Sequence, residues 1–132
     1  MDASGPHAPL KVAVIEDSPL ALQTLGALLG ELDRVEVVGD AADEQSAIEL
    51  LQFQQPALAI LDLELKTGSG FGVLKAISRD PEHFGRPCTV VFSHHNRNEI
   101  RQRCLALGAE RFFDKATQMN ELIAFVRQSV PS

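Results

Sequence analysis

Short apolar runs alternate along this chain with longer stretches in which apolar residues recur every three or four positions. The first run, Lys11 to Ile15, is aliphatic and stops abruptly at Glu16-Asp17, which is the pattern of a buried strand. Ser18-Pro19 then opens a helix, with Asp17 or Ser18 as cap and proline near the first helical position. Leu22, Leu25, Leu28, Leu29 and Leu32 follow at helical spacing. Val35 to Val38 predicts a second strand. Asp43 is placed to cap a second helix whose apolar face is Ala47, Ile48 and Leu51, and Pro56 stops it. Ala57 to Leu61 predicts a third strand, running into Asp62. Gly68, Gly70 and Gly72 make the next loop turn-prone, and a third helix carries Phe71, Leu74 and Ile77.

Asp80 to Pro87 reads as a loop, and Thr89 to Phe92 as a fourth strand ending at Ser93. Asn96 and Glu99 have capping-box spacing at the head of a fourth helix bearing Ile100, Cys104 and Leu107, which Gly108 stops. Arg111 to Phe113 predicts a short fifth strand ending near Asp114-Lys115. Thr117 is placed to cap a last helix with Met119, Leu122, Ile123, Val126 and Val130 on one face. Five strands alternating with five helices predict an α/β fold, a doubly wound parallel sheet with helices on both faces.

The length of 132 residues suits one domain, expected over residues 10–130. Residues 1–9, with Gly5, Pro6 and Pro9, read as a flexible lead without the basic and apolar regions of a secretory signal. The formal net charge of −6 disfavours a nucleic-acid surface, because phosphate binding is driven mainly by Lys and Arg. Cys88 and Cys104 have no metal-binding spacing and read as reduced core thiols, which points to a cytoplasmic protein. No apolar run approaches the roughly 20 residues that span a bilayer, so no membrane contact is expected.

Ligands of open α/β sheets bind beyond the carboxyl ends of the strands. There the chain delivers Glu16 and Asp17 after the first strand, Asp62 after the third, Ser93 after the fourth and Lys115 after the fifth. Three clustered carboxylates repel one another and require positive compensation. Lys115 supplies one charge, and Mg²⁺ is the natural second, since it prefers oxygen ligands. An aspartate beside Mg²⁺ is a nucleophile toward phosphorus, with the cation and the lysine neutralising the phosphoryl oxygens and Ser93 donating a hydrogen bond. His94-His95 lacks a third ligand at a familiar spacing and reads as an exposed pair. GSGFG lacks the phosphate-loop pattern and reads as a helix-opening turn. Arg97, Arg101 and Arg103 read as a solvated face of the fourth helix, able to dock an acidic partner.

The segments VAVIEDSPL, LAILDLEL followed by Gly70, VVFS and GAERFFDK resemble the receiver domain of bacterial two-component response regulators, over about Lys11 to Gln128. The resemblance implies a flavodoxin-like fold with strand order 2-1-3-4-5. It implies that Asp62 accepts a phosphoryl group, that Asp17 binds Mg²⁺ directly and Glu16 through water, and that the backbone carbonyl of Glu64 is a further ligand. It makes Ser93 the switch hydroxyl, Lys115 the site lysine and Phe112 the aromatic that changes rotamer; from sequence alone Phe112 is as readily plain core. The partners implied are a sensor histidine kinase or a histidine phosphotransfer protein, with a downstream target on the face of the fourth helix, fifth strand and fifth helix.

Lys66 and Ala116 stand where the family usually has proline, which leaves the bond after Lys115 open between cis and trans. His94 replaces a usually small residue, and with Glu64 and His95 it is expected to narrow the site. The chain is expected to act as a phosphoacceptor rather than an enzyme, alone or as the receiver part of a larger transcriptional regulator. The competing class is a Mg²⁺-dependent phosphohydrolase with an aspartyl nucleophile, loosely suggested by Asp62-Leu63-Glu64. A binding module independent of phosphorylation is a further alternative.

Overall fold

The structure is a computed structural model that describes residues 8–131. The expected lead at 1–9 lies mostly outside these residues. Five strands, β1 (Leu10–Ile15), β2 (Val35–Ala41), β3 (Leu58–Leu61), β4 (Cys88–Ser93) and β5 (Arg111–Asp114), form one sheet in the order β2-β1-β3-β4-β5. Every pairing is parallel. The helices are α1 (Pro19–Gly30), α2 (Glu44–Gln54), α3 (Gly70–Arg79), α4 (Asn98–Ala106) and α5 (Met119–Ser129).

The central strands are apolar at nearly every position because both sheet faces are covered. Ala13, Ile15, Leu61 and Val91 pack under α2, α3 and α4, whereas Val12, Val14, Ile60 and Phe92 pack under α1 and α5. Each fully buried leucine or isoleucine contributes about 1.5–3 kcal/mol, so these strands anchor the fold and hold their register. That register places the strand tips. Ile15 pairs with Leu61, so Glu16 and Asp62 leave the sheet side by side. Ser93 pairs with Asp114, so Lys115 emerges beside the end of β4.

Side-chain caps start three helices, those of α1 and α2 as the sequence suggests and that of α3 in addition. Ser18 Oγ accepts the Ala21 N–H at 3.2 Å, and Asp43 Oδ1 accepts the Ser46 N–H at 2.8 Å. Ser69 Oγ accepts the Gly72 N–H at 3.3 Å, so GSGFG is a helix-opening turn. Gly108, with φ of 103°, follows the end of α4 in a conformation that glycine adopts without strain.

Four local expectations are corrected. The Asn96–Glu99 capping box does not form: α4 begins at Asn98 without a side-chain cap, because the Asn96 amide is turned to Asp114 instead. Likewise α5 is preceded by Gln118 rather than capped by Thr117, and the Gln118 side chain is engaged with the Asp114 backbone. Within the expected loop 80–87, Pro81–Phe84 form a 3-10 turn that buries Phe84. Strand β2 runs on to Ala41, whose carbonyl accepts the Glu16 N–H at 2.8 Å. Cys104 is buried under the sheet and Cys88 is half-buried on the other face; both are free thiols. Burial pushes the Cys104 thiol up to about 11, against a smaller opposing effect of Arg103. No helix among the described residues is long and apolar enough to cross a membrane.

Candidate functional site

At the carboxyl edge of the sheet, Glu16, Asp17 and Asp62 bring carboxylate oxygens within 4.8 Å of one another. Glu16 and Asp62 are only 4% and 6% exposed, while Asp17 sits nearer solvent. Buried carboxylates so close repel strongly unless a cation lies between them. Lys115 provides it. Its Nζ lies 2.5 Å from Glu16 Oε1 and 2.7 Å from Asp62 Oδ2, with the side chain 11% exposed. The second oxygen of each acid is also held: Glu16 Oε2 accepts the Ser18 N–H at 3.0 Å, and Asp62 Oδ1 accepts the Glu64 N–H at 3.3 Å. Burial alone would pull the Lys115 ammonium down; hydrogen bonds to Asp62 and Glu16, with their charges, reverse this and raise its pKa above the ordinary lysine value. The amine therefore stays charged at neutral pH.

Three carboxylates against one ammonium leave two negative charges. A hard divalent cation matches both that charge and an all-oxygen donor set, so the residues present fit Mg²⁺.

Ser93 is fully buried at the tip of β4. Its Oγ accepts the His95 N–H at 3.3 Å, and its carbonyl accepts the Lys115 N–H at 3.0 Å. The histidines differ from the expected exposed pair. His94 is exposed, but His95 is half-buried and its Nε2 meets the Glu64 carboxylate, joining the loops after β4 and β3. Phe112 is buried in the core face beneath α2–α4, with the Arg101 guanidinium 4.8 Å from its ring centroid. Arg103 instead lies 4.2 Å from the Phe71 ring, so the arginine run is not one solvated face. Residues two apart on a helix point in nearly opposite directions.

Lys66 and Ala116, the two departures from the resembled pattern, both donate backbone N–H groups. Lys66 donates to the Ala42 carbonyl at 2.9 Å and Ala116 to Asp114 Oδ1 at 2.8 Å. Proline has no N–H and can make neither bond. The bond after Lys115 is trans. Asn96, Asp114 and Gln118 form a polar cluster beside the lysine that sequence reasoning missed. The signal for it in the sequence was an acidic residue, Asp114, directly preceding Lys115 and following the apolar pair Phe112-Phe113.

A family model described as the response regulator receiver domain matches residues 12–127. A protein-glutamate methylesterase/protein-glutamine glutaminase of Geobacter sulfurreducens is 30% identical over 122 residues, 92% of this chain and 32% of that protein. The fimbriae Z protein of Salmonella typhimurium is 29% identical over 90% of this chain and 55% of its own length. The chain thus spans about a third to a half of these curated relatives. Among solved structures, the signal receiver domain of the response regulator NarL from Mycobacterium tuberculosis superposes with a TM-score of 0.82 at 28% identity, covering 92% of this chain and 96% of that one.

Proposed function

The chain belongs to the response regulator receiver family, and from that membership we propose that Asp62 is its phosphoacceptor. The observation that carries this reading is the Lys115 ammonium bridging Glu16 and Asp62 at the carboxyl edge of the sheet. An Asp62 carboxylate oxygen attacks the phosphorus of a phosphohistidine in line. The new O–P bond forms as the N–P bond breaks, and the imidazole leaves with the electron pair. Lys115 neutralises charge on the transferring group, and Ser93 donates its hydroxyl proton as a hydrogen bond to a phosphoryl oxygen. Glu16, Asp17, Asp62 and the Glu64 backbone carbonyl would hold Mg²⁺, which supplies Lewis-acid stabilisation of phosphoryl oxygens when bound.

The donor is a sensor histidine kinase or a histidine phosphotransfer protein in the cytoplasm. Phosphorylation shifts the population of conformations at Ser93 and Phe112, and the face built by α4, β5 and α5 changes its affinity for a target. The length of the relatives, of which this chain matches about a third to a half, supports a role as the receiver part of a longer regulator. His94, Glu64 and His95 rim the approach to Asp62 and slow small donors.

Incubation with acetyl phosphate and Mg²⁺, read by intact mass, tests the assignment. Wild type is expected to gain one acid-stable, base-labile phosphoryl group and Asp62→Asn none; an Asp62→Asn protein that gains the group refutes it. In the same assay His94→Ala is expected to react faster, and an unchanged rate removes the narrowing role.

A further inference from the structure

We propose that Asp114 is a positioning residue for Lys115: its carboxylate closes a hydrogen-bonded ring over the lysine and fixes the turn that aims the ammonium at Asp62. This rests on the phosphoacceptor reading of Asp62. Asp114 ends β5 and is buried. Its Oδ1 accepts the Ala116 N–H at 2.8 Å, so the ring spans the one residue between them, Lys115. Its Oδ2 accepts Asn96 Nδ2 at 2.6 Å. The Asp114 N–H donates to Gln118 Oε1 at 2.8 Å, and the Asp114 carbonyl accepts the Gln118 N–H at 2.8 Å. With the Lys115 N–H given to the Ser93 carbonyl, the peptide groups on both sides of the lysine are held. The hydrogen bonds from Asn96 and Ala116 hold the Asp114 carboxyl below the usual aspartate range, so it is ionised at neutral pH.

The ring needs an N–H at position 116. Proline would abolish it, whereas Ala116 supplies it. The turn is therefore rigidified by a carboxylate instead of by a pyrrolidine ring. Rigidity matters because Lys115 must deliver its amine to two acids at 2.5 and 2.7 Å through a long stem with large rotamer freedom. A small backbone drift is amplified along that stem. The clasp to Asn96 also couples this turn to the loop before α4. Arg101 Nε donates to the Asn96 carbonyl at 3.2 Å while its guanidinium covers Phe112, so the lysine turn and the aromatic are tied to one loop.

The test compares wild type, Asp114→Ala and the swap Asn96→Asp/Asp114→Asn. The phosphorylation rate with acetyl phosphate is read by intact mass, Mg²⁺ affinity by NMR titration and Ala116 amide exchange by NMR. Since a misplacement of about 1 Å costs on the order of 10²-fold, Asp114→Ala is expected to react about tenfold more slowly. Its Mg²⁺ affinity should be unchanged and its Ala116 amide should exchange faster. The swap exchanges donor and acceptor, keeps an oxygen for the Ala116 N–H, and should restore both rate and protection. An Asp114→Ala protein that reacts at the wild-type rate overturns the positioning role alone. So does a rate that falls in parallel with Mg²⁺ affinity and is not restored by the swap. A wild-type chain that takes no phosphoryl group overturns the phosphoacceptor reading and this role with it.

Discussion

A Cβ on Gly70 would overlap the Asp62 carbonyl oxygen and lie 2.9 Å from both Leu61 Cδ1 and Leu63 Cα. Two of these three neighbours are backbone of the segment that carries Asp62, and backbone cannot swing aside as a flexible side chain can. Glycine is thus demanded here by close approach, since Gly70 also donates its N–H to the Leu63 carbonyl at 3.0 Å. Gly70→Ala is expected to destabilise the fold by about 1–3 kcal/mol, read as a lower urea midpoint, and to slow phosphorylation at Asp62. A midpoint equal to wild type would show that the helix start yields without strain. Lys66 and Ala116 follow the same logic at residue scale, because each trades the rigidity of proline for a backbone donor that the neighbouring structure uses.

At the scale of elements, α4 stands apart. It has no side-chain cap and Cys104 is its one fully buried residue, whereas α3 starts on a serine cap and buries Val73, Leu74 and Ile77. Few buried contacts and uncapped amides lower the free energy of local opening. Amide exchange in α4 is expected to be faster than in α1, α2 or α3, measured by hydrogen exchange; equal protection would mean that α4 opens only with the whole fold. A loosely held α4 also suits the change of its surface on phosphorylation proposed above. The strands and the acids at their tips were legible in the sequence because burial on both sheet faces demands continuous apolar runs, and the residues after them stand out. The start of α4 was not legible. Asn96 and Glu99 have the right spacing, but the partner that draws Asn96 away lies 18 residues further on. Tertiary competition of that kind has no local signature. Phe84 was missed for a related reason: one apolar residue in a polar loop shows no period, and its burial depends on the core it reaches.

Across the whole molecule, the parallel sheet makes the site a long-range construction. Lys115 lies 53 residues beyond Asp62, and Glu16 further still toward the start. Contacts between such distant segments require large loops to close, an entropic cost that slows folding. A growing chain that has emerged through β3 already carries Asp62 but not the Lys115 amine that balances it. On the phosphoacceptor role proposed for Asp62, that balance arrives only when the last strand docks against β4, so phosphorylation would mark a finished molecule.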